Sequence, residues 1–276
     1  MKRVLITGSS GYIGQHLAQR LKGRYALGGI DVVRNITNLD IFYHSDIFDD
    51  HTTVGQVEWD AVVHLAAHVN VGESVHEPLE YYRNNIIGTG KILNDWVYNN
   101  FIFASTGTAA DPISPYGLSK RAAEDVVRVH CQYEEIPYTM FRFYNVTGSN
   151  GFPPTNMDGL FYNLIKAEER GEFNLYGTDY NTLDGSAVRD YVHVEEICAA
   201  IETAIECPAN GLENLGHGVG HTVKQMIDIY KRVNNVEFKV NELPRRAGDL
   251  EYSVLSNPST YMQNLYDIEQ LLVKNI

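Results

Sequence analysis

Short apolar runs alternate with longer stretches of helical periodicity over roughly the first 145 residues of this chain. The runs Val4–Thr7, Ala26–Asp31, Ile41–Ser45, Ala61–Leu65, Phe101–Ser105 and Tyr138–Phe143 are short and mostly apolar, so they predict strands. Between them, apolar positions recur at helical spacing over Tyr12–Lys22, Pro78–Asn99 and Pro115–Glu135. Strand-helix alternation predicts an α/β chain with a parallel sheet covered on both faces. Right-handed crossovers then make the sheet doubly wound. After Asn145 the texture changes. Gly148–Gly159 is rich in Gly, Pro and Asn and reads as loop, and helices are predicted at Leu160–Arg170, Val194–Glu206 and Val223–Val233. The expected organisation is a first domain over residues 1–145 and a smaller mixed lobe over 146–276, with later residues, about 188–216, returning to the first. No internal repeat is visible.

Charge and cysteine usage narrow the partners. Lys and Arg number 22 against 35 Asp and Glu, a formal net charge of -13. Such a surface repels phosphate backbones, so nucleic acid is not an expected partner. The three cysteines, Cys131, Cys198 and Cys207, form no CxxC pair, and neither a disulfide framework nor a zinc site is indicated. His64, His68 and His193 have no metal-ligand spacing and read as hydrogen-bonded core or edge residues. The chain opens on a strand-like run, Lys2–Ile6, without a signal-type stretch, and it lacks a long apolar segment. A cytoplasmic protein without a membrane partner is expected.

The first strand runs into Thr7-Gly8-Ser9-Ser10-Gly11-Tyr12-Ile13-Gly14, which opens the first helix. Glycines allow a tight turn and close approach of a pyrophosphate, and the helix N-terminus offers N–H groups and partial positive charge. An ordinary glycine-rich turn would share the spacing, but the strand before and the helix after give the pattern its proper context, that of a Rossmann-type dinucleotide site. Asp31 ends the second strand, where a carboxylate accepts from ribose hydroxyls and repels a 2′-phosphate. This favours NAD over NADP, with a plain turn aspartate as the alternative.

Ser114-Pro115-Tyr116-Gly117-Leu118-Ser119-Lys120 begins the third predicted helix. Tyr116 and Lys120 are one turn apart and share a face. The stripe Leu118, Ala122, Val126, Val129 and Tyr133 is the expected buried face, which points Tyr116 and Lys120 elsewhere, towards a ligand. An ammonium beside a phenol favours the phenolate, so Tyr116 can serve as acid or base. Thr106 lies at a strand carboxyl end, where ligands collect in open α/β sheets.

Together these residues resemble the extended short-chain dehydrogenase/reductase family, and within it the UDP-glucose 4-epimerase branch. Further stretches carry the likeness: Val71–Val75, Pro78–Tyr82, Asn84–Thr89, Arg142–Asn145, Tyr176–Tyr180, Asp184–Val194 and Arg245–Leu250. The match spans about Leu5 to Ser253, with Tyr176–Val194 the most specific part. The resemblance implies a catalytic set of Thr106, Tyr116 and Lys120. It implies an NAD site lined by Gly8, Gly11, Tyr12, Ile13, Gly14, Asp31, Asp46, Ile47, Leu65, Ala66, Ala67, Asn85 and Phe143, with Tyr116 and Lys120. It implies that Asn145, Leu160, Tyr176, Arg189, Arg246 and Asp249 hold a UDP-sugar. The implied reaction is oxidation of the sugar at C4 by NAD, rotation of the 4-keto sugar, and hydride return to the opposite face. A homodimer through the helices at Pro78–Asn99 and Pro115–Glu135 is also implied. For Arg189 a salt bridge to Asp190 is the plainer reading, and for Tyr176 core packing.

The chain departs from the family in four places. Only nine residues separate Thr106 from Tyr116, where the family carries a much longer loop. Ala67-His68-Val69-Asn70 lacks the lysine often found there, and Gly159 stands where an asparagine is common. Near Ser253 the family often has a tyrosine that limits room around the sugar 2-substituent. Ser253 would admit an N-acetyl group, and a one-residue shift to Tyr252 would reverse that. The alternative readings are a 4-reductase, a decarboxylase or a uronate epimerase of the same fold, or a non-catalytic nucleotide-sugar binder. Dehydration is disfavoured because Gly107-Thr108 replaces the acidic pair that eliminates water.

Overall fold

The computed structural model describes residues 1–35, 37–49, 52–246 and 249–274. A seven-stranded sheet runs Gly211–Leu215, Tyr138–Phe143, Phe101–Thr106, Ala61–His64, Arg3–Thr7, Ala26–Asp31, Ile41–His44 in spatial order. Each pairing from Phe101–Thr106 across to Ile41–His44 is parallel. The chain winds outward one way from Arg3–Thr7 and the other way from Ala61–His64. The topological switch point therefore lies between these two strands, and ligands of open α/β sheets bind outside the carboxyl ends at such a point. The strand expectations hold within a residue or so at each end.

The chain divides into two compact units, Met1–Arg142 with Cys198–Glu213, and Phe143–Ile197 with Asn214–Ile276. In the first, Leu5, Val62, Phe101, Phe103, Val127 and Met140 belong to one buried cluster. These are mostly strand residues in near-continuous apolar runs, as a sheet covered on both faces demands. The second unit holds a parallel pair, Glu172–Tyr176 with Lys239–Leu243. It also holds a small mixed sheet around Val188–His193, paired antiparallel with Gly220–Thr222 and parallel with Tyr252–Ser253 and Asn145–Thr147. Phe161, Leu164, Phe173, Met226, Tyr230 and Leu272 form its core. The helix Val223–Asn234 starts in a reciprocal capping box between Thr222 and Gln225. Among the described residues no helix is long and apolar enough to cross a membrane, and no group of three or more His, Cys, Asp or Glu is placed to hold a metal ion.

One expected helix is not continuous. Pro78–Asn99 resolves into an α-helical start at Pro78–Tyr82, a π-helical turn at Arg83–Ile87 and an α-helix at Gly88–Asp95, followed by the short strand Val97–Tyr98. Apolar periodicity does not reveal a single inserted residue, and π-turns of this kind collect at functional sites.

Gly8 adopts φ +67°, and a Cβ there would lie 2.8 Å from the Ala66 backbone nitrogen. Gly8→Ala should therefore lower stability by about 1–3 kcal/mol in urea unfolding. Gly90→Ala, in open space on a helix, should raise it by up to about 1 kcal/mol. Equal effects of the two substitutions would contradict this account of the turn.

Candidate active site

The chemistry-bearing residues of the first unit gather along one edge of its sheet. Gly8 follows the strand Arg3–Thr7, Asp31 ends Ala26–Asp31, Asp46 and Ile47 follow Ile41–His44, Leu65–Ala67 follow Ala61–His64, and Thr106 ends Phe101–Thr106. Phe143 is the last residue of Tyr138–Phe143 and is buried.

At the first turn, a Cβ on Gly14 would fall 2.8 Å from the Ser9 Cα and closer still to the Gly8 carbonyl. Gly11 caps the helix Tyr12–Leu21 with no side-chain hydrogen bond. A turn too tight for side chains beneath an uncapped helix start is a cradle that fits a pyrophosphate. Asp31 is half-buried, and its carboxylate accepts the Ser10 and Val33 N–H groups at 2.9 and 2.8 Å. It thus shapes the turn. Tyr12 and Ile47 are buried, Ile13 half-buried, and Asp46 is exposed with the Phe48 N–H donated to it at 2.9 Å.

The helix Pro115–Tyr133 begins with Ser114 accepting the Gly117 N–H at 3.1 Å and Pro115 in the first turn. The loop before it is short and pinned. Thr106 accepts from the Thr108 N–H, a 3₁₀ turn covers Gly107–Ala109, and a Cβ on Gly117 would sit 3.1 Å from the Thr108 carbonyl. The expected buried stripe is overturned: Leu118, Val129 and Tyr133 are 48, 57 and 84% exposed. The buried face instead carries Ser119, Lys120, Ala123, Glu124, Val127 and Cys131. Apolar periodicity misreads this helix because Ser119, Lys120 and Glu124 lie among Ala123, Val127 and Cys131 on its buried face.

That inversion sets the electrostatics. Lys120 is 3% exposed, its ammonium lying 4.2 Å from the Phe103 ring centroid. Burial draws its pKa down to about 7, against the opposing charge of Glu124. Burial pushes the Tyr116 phenol up to about 12, and the nearby Thr106 side chain pulls the other way.

Behind the pair runs a fully assigned hydrogen-bond chain. The Ala66 N–H donates to Thr7 Oγ1 at 3.1 Å, and that hydroxyl lies 2.7 Å from His64 Nδ1. Thr89 donates its proton to the Asn85 carbonyl at 2.7 Å, so it accepts from His64 Nε2 at 3.0 Å. His64 is therefore the Nε2–H tautomer, and burial with the Lys120 charge lowers its pKa to about 3. The Asn85 amide donates to the His68 carbonyl and to Ser119 Oγ at 2.9 Å each, and accepts from the His68 N–H and from Asn84. Ser119 donates to the Tyr116 carbonyl at 2.8 Å. Every hydrogen-bonding position of the Asn85 side chain is filled by protein.

In the second unit, Arg246 lies over the Tyr176 ring at 3.9 Å. Both residues line a cavity of about 200 Å³ with Asn163, Arg170, Glu172 and Asn174. Tyr176 is half-buried and not core. Arg189 pairs with Asp249 at 3.5 Å, not with Asp190. The buried Asp190 carboxylate instead accepts backbone N–H groups of His217, Gly218 and Leu255. Asn145 donates to the Asp190 carbonyl at 3.0 Å. Gly159 and Leu160 start the helix Leu160–Arg170, which has no side-chain cap. Ala247 and Gly248 of the basic stretch lie outside the described residues.

The profile of the NAD dependent epimerase/dehydratase family matches residues 4–217. The chain belongs to that family. It is 31% identical to the UDP-glucose 4-epimerase of Halalkalibacterium halodurans, over 89% of this chain and 84% of that one. It is also 31% identical to UDP-arabinose 4-epimerase 1 of Arabidopsis thaliana, over 95% of this chain and 74% of that one. The structure of UDP-glucose 4-epimerase from Brucella ovis in complex with NAD matches with a TM-score of 0.88 at 28% identity, covering 99% of this chain and 96% of that one.

Within this epimerase/dehydratase chain, Ser105, Ser119, Glu124 and Arg142 carry interactions that sequence reading assigned to no role. For Glu124 a signal existed, since it stands one helical turn beyond Lys120 on the same face. Two outcomes follow from the buried charges. Lys120 is protonated in the unfolded chain up to the ordinary lysine range but resists protonation when folded. The resulting destabilisation is full below about pH 7 and fades as pH rises towards that range. Lys120→Met should raise Tm by on the order of 5 °C at pH 6 and by less at pH 9, measured by calorimetry. Long-range ¹H–¹⁵N NMR should find His64 as neutral Nε2–H throughout pH 5–8, and a doubly protonated ring in that range would refute the assignment.

Proposed function

We propose that this chain is an NAD-dependent isomerase that inverts C4 of a UDP-hexose, interconverting UDP-galactose and UDP-glucose through a transient 4-keto sugar. The observation that carries the reading is Tyr116 one helical turn before a buried Lys120 at the start of the helix Pro115–Tyr133, with Thr106 ending the strand Phe101–Thr106 at the carboxyl edge of the sheet. The names of the family's relatives support the substrate class, and the Brucella ovis structure supports the cofactor.

Gly8, Gly11, Tyr12, Ile13, Gly14, Asp31, Asp46, Ile47, Leu65, Ala66, Ala67, Asn85 and Phe143, with Tyr116 and Lys120, would hold NAD, which supplies a reversible hydride acceptor when bound. Tyr116 takes the proton from the sugar 4-hydroxyl and returns it, while Thr106 shares that oxygen and holds the phenol in place. Lys120 brings positive charge to the same pocket. Asn145, Leu160, Tyr176, Arg189, Arg246 and Asp249 are proposed to hold the UDP moiety. Arginines suit the pyrophosphate because a guanidinium offers a fork of charged donors.

One observation favours acceptance of N-acetylated sugars as well. Ser253 pairs with Arg189 in register on adjacent parallel strands, so their side chains share a face. Tyr252 pairs with Val188, is 54% exposed, and lies 3.4 Å from the Asn181 carbonyl. The smaller residue is the one beside the arginine. A second copy of the chain is the proposed partner, since the exposed stripe Leu118, Val129 and Tyr133 otherwise leaves apolar helix surface in water.

Purified protein given UDP-galactose without added cofactor should form UDP-glucose, and Tyr116→Phe should lower kcat by roughly 10²–10⁴-fold. Stoichiometric consumption of added NAD(P)H would instead indicate a 4-reductase. Binding without turnover, unaffected by Tyr116→Phe, would indicate a non-catalytic binder. Ser253→Tyr should reduce kcat/KM for UDP-N-acetylgalactosamine at least tenfold while sparing UDP-galactose. Equal losses on both would reject the register argument.

A further inference from the structure

Glu124 is 4% exposed and Arg142 8%. The guanidinium grips the carboxylate at two points, Nε to Oε1 at 2.8 Å and Nη2 to Oε2 at 2.6 Å. The Ser105 hydroxyl donates to the same Oε1 at 2.5 Å. Ser105 precedes Thr106 in its strand, and Glu124 follows Lys120 by one turn of its helix. Phe103 and Ser105 face the same side of the strand, and Lys120 and Glu124 the same side of the helix. Lys120 meets Phe103 and Glu124 meets Ser105. The loop between Thr106 and Tyr116 is drawn into the same cluster, because Arg142 Nη2 and Arg121 Nη1 donate to the Ala109 carbonyl at 3.5 and 3.3 Å.

We propose that Glu124 is a positioning residue for the Thr106–Tyr116–Lys120 set: with Arg142 it anchors the strand end, the helix and the short loop to one another. This rests on the catalytic reading of those three residues given above. Around Lys120, Tyr116 and Glu124 stand on its own helix. From the sheet come His64, held neutral, and Arg142, engaged by Glu124. From the helix Pro78–Tyr82 comes Tyr81, edge-on to Tyr116, with its hydroxyl donated to Glu73. Glu124 is the charge that opposes the effect of burial on Lys120.

The test reads Lys120 directly. In the full chain labelled with ¹³Cε-lysine, Lys120 should titrate near pH 7 in the parent protein. In Glu124→Gln the midpoint should fall by about one unit, a tenfold change in the protonation equilibrium, and Glu124→Asp should restore it in large part. In epimerisation assays the loss of kcat with rising pH should move to lower pH by the same amount, with KM little changed. If Glu124→Gln does not fold because Arg142 is left unpaired, Glu124→Asp, which keeps a carboxylate for Arg142 but sets it one methylene back, is read alone and should lower the midpoint by a smaller amount. A folded variant whose Lys120 titrates as in the parent overturns the proposal. A parent that shifts as expected on substitution but never epimerises leaves the charge coupling intact and rejects the function.

Discussion

A lysine ammonium held almost out of contact with water is the interaction around which the rest of the first unit is arranged. Charge in the interior is unfavourable unless opposed or neutralised. Here Phe103 offers its ring face, Glu124 offers negative charge, and His64 is kept neutral by burial and by the lysine charge itself. Each response draws in a different strand or helix. Local electrostatics and global topology are therefore linked: the residues that moderate one charge also tie together the elements around the switch point.

Much of this fold could be read from the chain, and the reason is physical. Val4–Thr7, Ala61–Leu65 and Phe101–Ser105 are buried on both faces, which forces continuous apolar runs that few other structures require. Gly8 and Gly14 sit where no side chain fits, so their identity reports the turn directly. Asp31, Thr106 and Tyr116 could be placed because strand ends and helix starts follow from the same pattern. The helix Pro115–Tyr133 defeated that logic. Its inward face mixes Ser119, Lys120 and Glu124 with Ala123, Val127 and Cys131, so a rule that counts only apolar residues picks the wrong stripe. The π-turn at Arg83–Ile87 escaped for another reason, because one inserted residue changes the facing of later side chains without changing composition.

The short connection between Thr106 and Tyr116 gains a physical description. Length in the family is replaced here by anchoring. The Ala109 carbonyl receives two guanidinium donors, and Gly117 lets the loop backbone approach the helix closely. The protein's own donors therefore fix the course of this loop. In the second unit, Asp190 plays an equivalent part by gathering three backbone N–H groups from two segments, His217–Gly218 and Leu255.

The first unit is discontinuous, and this matters for how the chain comes off the ribosome. Its large apolar cluster lies entirely within residues 5–140, so collapse of the sheet can begin early in synthesis. Completion cannot, because Cys198–Glu213 belongs to the same unit and appears only after about seventy further residues from Phe143 onward. At ~5–20 residues per second that is a delay of roughly 4–14 s. During it, Arg20, Tyr25 and Asn100 lack the partners they later find in Glu202, Glu206 and Ala204. The nascent chain passes through a stage in which its opening helix is made but its far side is uncovered, an interval in which a chaperone or a neighbouring chain can engage it.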